Sequence, residues 1–306
     1  MSNVDGLRRQ ILGIEQRVTA YERTGERDNL ARELSVVSFR QHLDELRGQL
    51  TEELTLRGKE IIEIGIDEPE PGTIPLHLLA KIADNYGQAV QKAARYRRHG
   101  TFRGPVPQEI TDSLDLRLAA LKGGSTHLYI TGRTAPDLFG NSLIEDSLRE
   151  TFAVLQASSS ESLTDAVSAV GYSSAAAIKR LLREVARSGL ALEIKWRTPS
   201  EQEIHWQGDP LVMGRLADSL DAFSKSEPGE VEIEGKVITV SLREHFVIER
   251  DSGESYSAVV AEQAMPQVES TTPGTMARAT LIKNAIKNKV TGREKVSYTL
   301  VNLARL

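Results

Sequence analysis

Leu7, Ile11, Ile14, Val18 and Tyr21 recur at alternating spacings of four and three, the rhythm of one face of an amphipathic helix. After the polar break Thr24-Gly25-Glu26 the rhythm resumes in Phe39, Leu43, Leu46 and Leu50, which predicts a helical hairpin over residues 1–56. Its apolar stripes must be covered. The body of this protein, a protein partner or a second copy meeting it as a short coiled coil would each do so.

The pattern then changes to that of a mixed α/β region over residues 57–157. Glu60 to Ile66 reads as a strand that stops at Asp67-Glu68-Pro69-Glu70-Pro71-Gly72, where prolines and a glycine prevent continuation. Thr73 and Pro75 suit a helix start, and Leu76, Leu79, Ile82 and Tyr86 carry that helix to Arg98. A short helical region is expected up to Leu121. Gly123 to Gly132 follows as a glycine-bracketed strand, and then a helix opening near Asn141 or Ser142 with Ile144, Leu148, Phe152 and Leu155 on one face. Ser142 and Glu145 have capping-box spacing.

Residues 158–225 begin with a serine-rich linker. The stretch LTDAVSAVGYSSAAAIKRLLREVARSG follows, starting at Leu163. Leu163, Ala166, Val167 and Val170 form one apolar stripe, Gly171 a turn, and Ile178, Leu181, Leu182 and Val185 a second stripe. Leu190–Trp196 and Glu203–Trp206 read as a strand pair, and a helix runs from Pro210 to Phe223. The LT-A-G-S pattern, the arginine-bearing second helix and the Gly189-Leu190 step into a hairpin resemble a winged helix-turn-helix over about residues 163–206. That resemblance implies a second helix whose N-terminal positions, here Ser174, Ala175, Ala176, Lys179 and Arg180, enter a DNA groove. Alanine and serine read few base edges, so Lys179, Arg180, Arg183 and Arg187 are expected to contact phosphates without sequence preference.

From residue 226 the period is two. Glu232–Ser241, Glu244–Arg250, Ser255–Val260, Thr275–Asn284 and Lys295–Leu303 read as five short strands, with Asp251-Ser252-Gly253-Glu254 as a hairpin turn. Five such strands predict a small closed antiparallel barrel of the OB or SH3 type over residues 226–306. The fold class expected is therefore α+β and multidomain, with a helix-turn-helix-like unit in the middle.

Composition alters this picture in three ways. A net charge of -5 on 306 residues argues against a protein coated in basic surface but allows a local basic face. That face is expected at the last hairpin, where Arg278, Lys283, Lys287, Lys289, Arg293 and Lys295 gather against the single acid Glu294. The absence of cysteine removes disulfides, thiolate metal sites and cysteine nucleophiles. With no signal-like or spanning segment, a cytoplasmic protein without membrane contact is expected.

No catalytic motif stands out. The histidines are isolated, and neither HExxH nor GxSxG occurs, so no cofactor or metal is expected. The glycine-bracketed strand and the loop after it, through Thr131, Arg133 and Asp137, form a possible ligand loop, because glycine admits close backbone approach. An enzyme would draw first on Asp67, Glu68, Asp137 and Glu145. The function expected is a non-catalytic adaptor subunit of a prokaryotic multi-protein assembly that touches DNA or RNA backbone. A purely protein-binding subunit is the alternative, and an acid-based hydrolase or nuclease a third reading.

Overall fold

A computed structural model describes residues 3–23, 30–56, 59–67, 73–100, 104–122, 126–134, 142–197, 203–226, 229–241 and 245–306. The chain is a mixed α+β protein with nine α-helices among the described residues and a closed five-stranded barrel in its C-terminal region. No helix among the described residues is long and apolar enough to cross a membrane.

The expected hairpin is present as α1 (Asn3–Arg23) and α2 (Leu30–Leu56). Leu7 and Val18 of α1 and Leu43 and Leu46 of α2 are buried, and Arg47 pairs with Glu15 across the two helices at 2.9 Å. The hairpin lies on one face of a five-stranded sheet, where Leu50 and Tyr129 pack on Ile61.

In the sheet, β1 (Lys59–Asp67) is the central strand. It pairs antiparallel with β3 (Thr126–Arg133) on one side and β4 (Ala191–Arg197) on the other, while β2 (Arg117–Lys122) and β5 (Glu203–Gly208) form the edges. Alternate residues of a strand face opposite sides. Ile62, Ile64 and Ile66 therefore enter the main core, each at most 1% exposed and each contributing about 1.5–3 kcal/mol on burial. Six helices join the strands in that core: α3 (Leu76–His99), α4 (Gln108–Leu114), α5 (Leu143–Leu155), α6 (Ser160–Val170), α7 (Tyr172–Arg187) and α8 (Pro210–Asp221).

Three local expectations are corrected. The helical region expected up to Leu121 ends at Leu114, because Asp115 adopts a left-handed backbone (φ 43°) and turns the chain into edge strand β2. Ser142 precedes α5 but forms no cap bond. Its hydroxyl is buried without a partner, and Glu145 pairs with Arg149 at 2.9 Å instead. The capping box is at α6, where Ser159 and Ser162 bond each other's backbone amides. Finally, the boundary expected at residues 157–158 runs through one sheet and one core, since β4 pairs with β1 from Ile61↔Arg197 to Asp67↔Ala191.

The barrel is built from β7 (Gly229–Ser241), β8 (His245–Glu249), β9 (Ser255–Val260), β10 (Met276–Asn288) and β11 (Glu294–Arg305). β7 pairs with β8 and β10, β8 with β9, and β11 closes the ring against β10 and, in parallel, against β9. Closure leaves the ring no free edge. The link from β9 to β10 carries α9 (Met265–Glu269). Long β7 passes from its β10 partner to its β8 partner near Gly235, where any side chain would overlap the Glu249 carbonyl.

The barrel is joined to the body by shared structure. Short strand β6 (Phe223–Lys225) pairs with the end of β10, and Ile286 of β10 is buried in the main core. At the end of α3, the Tyr96 hydroxyl lies 3.1 Å from that of Ser297 on β11.

Candidate nucleic-acid interface

The helix pair α6–α7 is part of the core. Ser174 is fully buried and donates to the Ala89 carbonyl of α3 at 2.8 Å, while Ala175 and Ala177 are buried beside it. The groove-facing N-terminus implied by the winged-helix resemblance is thus covered by α3. The small side chains there serve close helix approach.

Three of the four basic residues of α7 are tied down as well. Lys179 pairs with Asp221 of α8 at 2.7 Å, and Arg183 pairs with Asp221 and with Asp218. Arg180 donates to Asn85 at 3.0 Å and Gln88 at 3.1 Å on α3. Arg187 lies exposed in the last turn, where a cation favours the helix dipole. The strands expected as a wing are β4 and β5 of the central sheet, and the loop between them lies outside the described residues.

The basic hairpin divides in two. Asn288 shapes its tip by accepting from the amides of Val290 and Thr291 at 3.0 and 3.1 Å. One side of the hairpin lies against α6, with Arg293 paired to Glu161 at 3.0 Å and Lys295 to Asp165 at 2.7 Å. The bond from Lys295 holds the Asp165 carboxyl below its usual range. Arg278 is also matched, by Glu234 on β7. Lys283, Lys287 and Lys289 are exposed, and among the described residues they form no ion pair.

Lys283 and Lys287 project from the same side of β10. The register sets Lys283 opposite Tyr298 of β11. Tyr298 meets Tyr256 of β9 edge to face, with ring centroids 5.5 Å apart, and the Arg250 guanidinium lies over the Tyr256 ring at 5.2 Å. Exposed Val296 lies two residues before Tyr298 on the same side of β11. Phe246 is fully buried in the barrel core and is no part of this surface. The two rings are partly buried against the barrel core, and Arg250 also pairs with Glu254 at 3.5 Å. With two ammonium groups that form no ion pair among the described residues, this is chemistry that receives bases and phosphates of a single strand. Acids border it: Glu254 accepts from the Tyr256 phenol and raises its pKa.

The possible ligand loop is brought together only in part. Thr131 is buried within β3, Arg133 is more than half exposed and pairs with Asp115 at 3.6 Å, and Asp137 lies outside the described residues. The same end of the sheet holds a feature missed in the sequence, the buried carboxyl of Glu60. It accepts from Trp196 Nε1 at 2.9 Å and Thr134 Oγ1 at 3.1 Å, yet burial outweighs those bonds and keeps its pKa raised.

A second missed cluster lies on the α2 side of the sheet. His127 Nδ1 and the Tyr129 hydroxyl meet Glu63 at 2.7 and 3.1 Å, and Lys195 and His205 both reach Glu193 at 2.9 Å. Burial pushes the Glu63 carboxyl up, but His127, Tyr129 and Lys195 outweigh it and leave the pKa below the usual range. These acids are satisfied by their neighbours. Among the described residues no group of three or more histidines and acids could hold a metal ion. Of the acids an enzyme would draw on, Asp67 is exposed at the end of β1 and Glu68 lies outside the described residues. The chain matches no family model, no curated protein and no solved structure.

Proposed function

We propose that this chain is a non-catalytic, cytoplasmic adaptor that holds single-stranded nucleic acid on its C-terminal barrel. The observation that carries the reading is the Tyr256–Tyr298 pair with Arg250 over one ring and Lys283 opposite the other. Bases stack on such rings whatever their sequence, and Lys283, Lys287 and Lys289 supply the backbone contacts. The strand order supports it further. A ring in which the first strand pairs with the second and fourth, the third runs parallel to the fifth, and a helix joins the third to the fourth favours the OB-type over the SH3-type reading of the barrel, and OB-type barrels suit oligonucleotides. The helix-turn-helix-like pair α6–α7 contributes packing in this reading and no contact with nucleic acid.

A photo-crosslinking experiment tests the location. A 5-iodouracil oligonucleotide irradiated with the intact protein should crosslink to peptides carrying Tyr256 or Tyr298. Crosslinks confined to α7 or to the α1–α2 hairpin would overturn the assignment to the barrel.

A purely protein-binding subunit is the second reading. It is favoured by the internal acids that neutralise Lys179, Arg183, Arg293 and Lys295, and by exposed Leu12 and Val37 on the helical hairpin. Those two side chains suit contact with a partner or a second copy of this chain.

A further inference from the structure

We infer that the cleft between α3, the start of α7 and β10 is an oxyanion site that takes a phosphate group. Lys92, Arg95, Tyr172, Ser173 and Asn284 line it, and it opens to solvent. It faces away from the proposed strand-binding surface, since Asn284 and Lys283 are successive residues of β10 and point to opposite sides. The inference is therefore independent of the barrel reading.

Two cations of this cleft, Lys92 and Arg95, have no carboxylate partner among the described residues. Arg95 is only 7% exposed. Its Nη1 donates to the Gly104 carbonyl at 2.5 Å, its Nε has no partner, and among the described residues no carboxylate pairs with it. Lys92 donates to Gln88 at 2.8 Å and likewise forms no ion pair among the described residues. Burial, with Arg180 and Arg95 close by, lowers the Lys92 pKa.

The start of α7 adds to this field. No side chain caps the helix, its first turn carries no acid, and the positive end of a 16-residue helix dipole is turned towards two cations. Like charges gathered in this way favour an anion between them.

Asn284 is the independent observation. It is 2% exposed, and neither its amide oxygen nor its amide nitrogen has a hydrogen-bond partner. Its backbone is held in the β10–β11 ladder opposite Ser297, so the side chain stays at the cleft. Buried amides are otherwise hydrogen-bonded almost without exception. A phosphate bound here would accept from the Asn284 amide, from Lys92 and Arg95, and from the free amides of the first α7 turn. Such charge-assisted bonds are the strong ones.

The test is thermal unfolding of the full chain in inorganic phosphate, against acetate and chloride at matched ionic strength. Wild-type protein should gain a saturable rise in Tm with phosphate alone. Lys92→Gln should weaken the apparent affinity by about tenfold. Asn284→Asp sets a carboxylate in the cleft, so it should raise the Tm in phosphate-free buffer and abolish the phosphate response. If that variant does not fold, Lys92→Gln carries the test. Adenosine monophosphate serves as a further probe. An equal response to both probes assigns a free phosphate group, and a response to the nucleotide alone assigns an esterified one. Equal stabilisation by acetate, or a phosphate response unchanged in Lys92→Gln, would overturn the site.

Discussion

The Ser174 hydroxyl donates to the Ala89 carbonyl at 2.8 Å, deep in the contact between α7 and α3. A residue that would lead a recognition helix into a groove is instead a core residue with no exposed surface. Ser174→Ala should destabilise by about 1 kcal/mol through the lost bond. Ser174→Lys should cost at least about 3 kcal/mol, because it forces a cation with no partner into the core. Urea unfolding monitored by circular dichroism measures both. A stable Ser174→Lys protein with increased DNA affinity would mean that this helix end is a free surface.

Glu150 gives stability a pH dependence with a definite sign. Burial first, with Asp146 adding and Arg97 opposing, raises its carboxyl from the ordinary 4.5 to about 7. Arg97 reaches it at 3.5 Å, and Glu150 Oε2 is buried without a partner. The folded state therefore keeps a proton that the unfolded state has already lost. Stability is fully present below about pH 4.5 and is lost as pH rises towards 7, by about 2–3 kcal/mol from this group. Glu150→Gln should flatten that part of the curve. Identical slopes for the two proteins between pH 4.5 and 7 would refute the assignment.

Gly100 ends α3 with φ 65°, and a side chain there would overlap Thr299 of β11. Gly100→Ala should destabilise by about 2–4 kcal/mol, combining backbone strain with overpacking where the barrel meets the body. Adding Thr299→Ala removes the two nearest overlaps, with the hydroxyl and the methyl, but keeps the Cβ at 2.7 Å, so it recovers only part of the loss. A double-mutant cycle by chemical denaturation separates the two. Additive losses would show that the contact between α3 and β11 is absent in solution.

The two halves of the basic hairpin should behave differently. Arg293 and Lys295 are matched by Glu161 and Asp165, so replacing both by glutamine should alter oligonucleotide affinity by less than about threefold. The same pair of changes should lower stability by no more than about 1 kcal/mol, as expected for exposed ion pairs. Fluorescence anisotropy and thermal melting read these effects. A collapse of binding in that double variant would return the interface to the hairpin.

Periodicity carried much of this fold. The apolar stripes of α1, α3 and α7 and the two-residue alternation of the barrel strands were legible because they report burial of the same chain segment. Strand β2 was not, since the event that creates it is the left-handed turn at Asp115, and an aspartate allows that turn without announcing it. The resemblance to a winged helix misled for a related reason. The stripe Ile178, Leu181, Leu182 and Val185 reads the same whether the partner is α6 alone or α3 and α8 as well. The acids that neutralise the basic residues, Asp221, Glu161 and Asp165, lie on other helices and meet them only through the tertiary fold. Tyr256 and Tyr298 are isolated aromatics in separate strands of the sequence, and their pairing depends on β9 lying parallel to β11. Asn284 read as one more polar residue in a strand, and its isolation becomes apparent only once α3 and α7 are packed over it.

The most direct test of the barrel assignment is binding of labelled single-stranded DNA, RNA and duplex DNA across a salt series. Wild-type protein is compared with a Lys283→Gln/Lys287→Gln variant and with Tyr256→Ala, each shown to be folded. Single strands should bind more tightly than duplex, with affinity falling steeply as salt rises. The lysine variant should reduce the slope of log K against log salt by about 1.4, or roughly 0.7 per lost phosphate contact on a single strand. Tyr256→Ala should weaken binding by about 1–3 kcal/mol without changing that slope. No binding at low salt, or binding that neither variant alters, would contradict a nucleic-acid surface on the barrel.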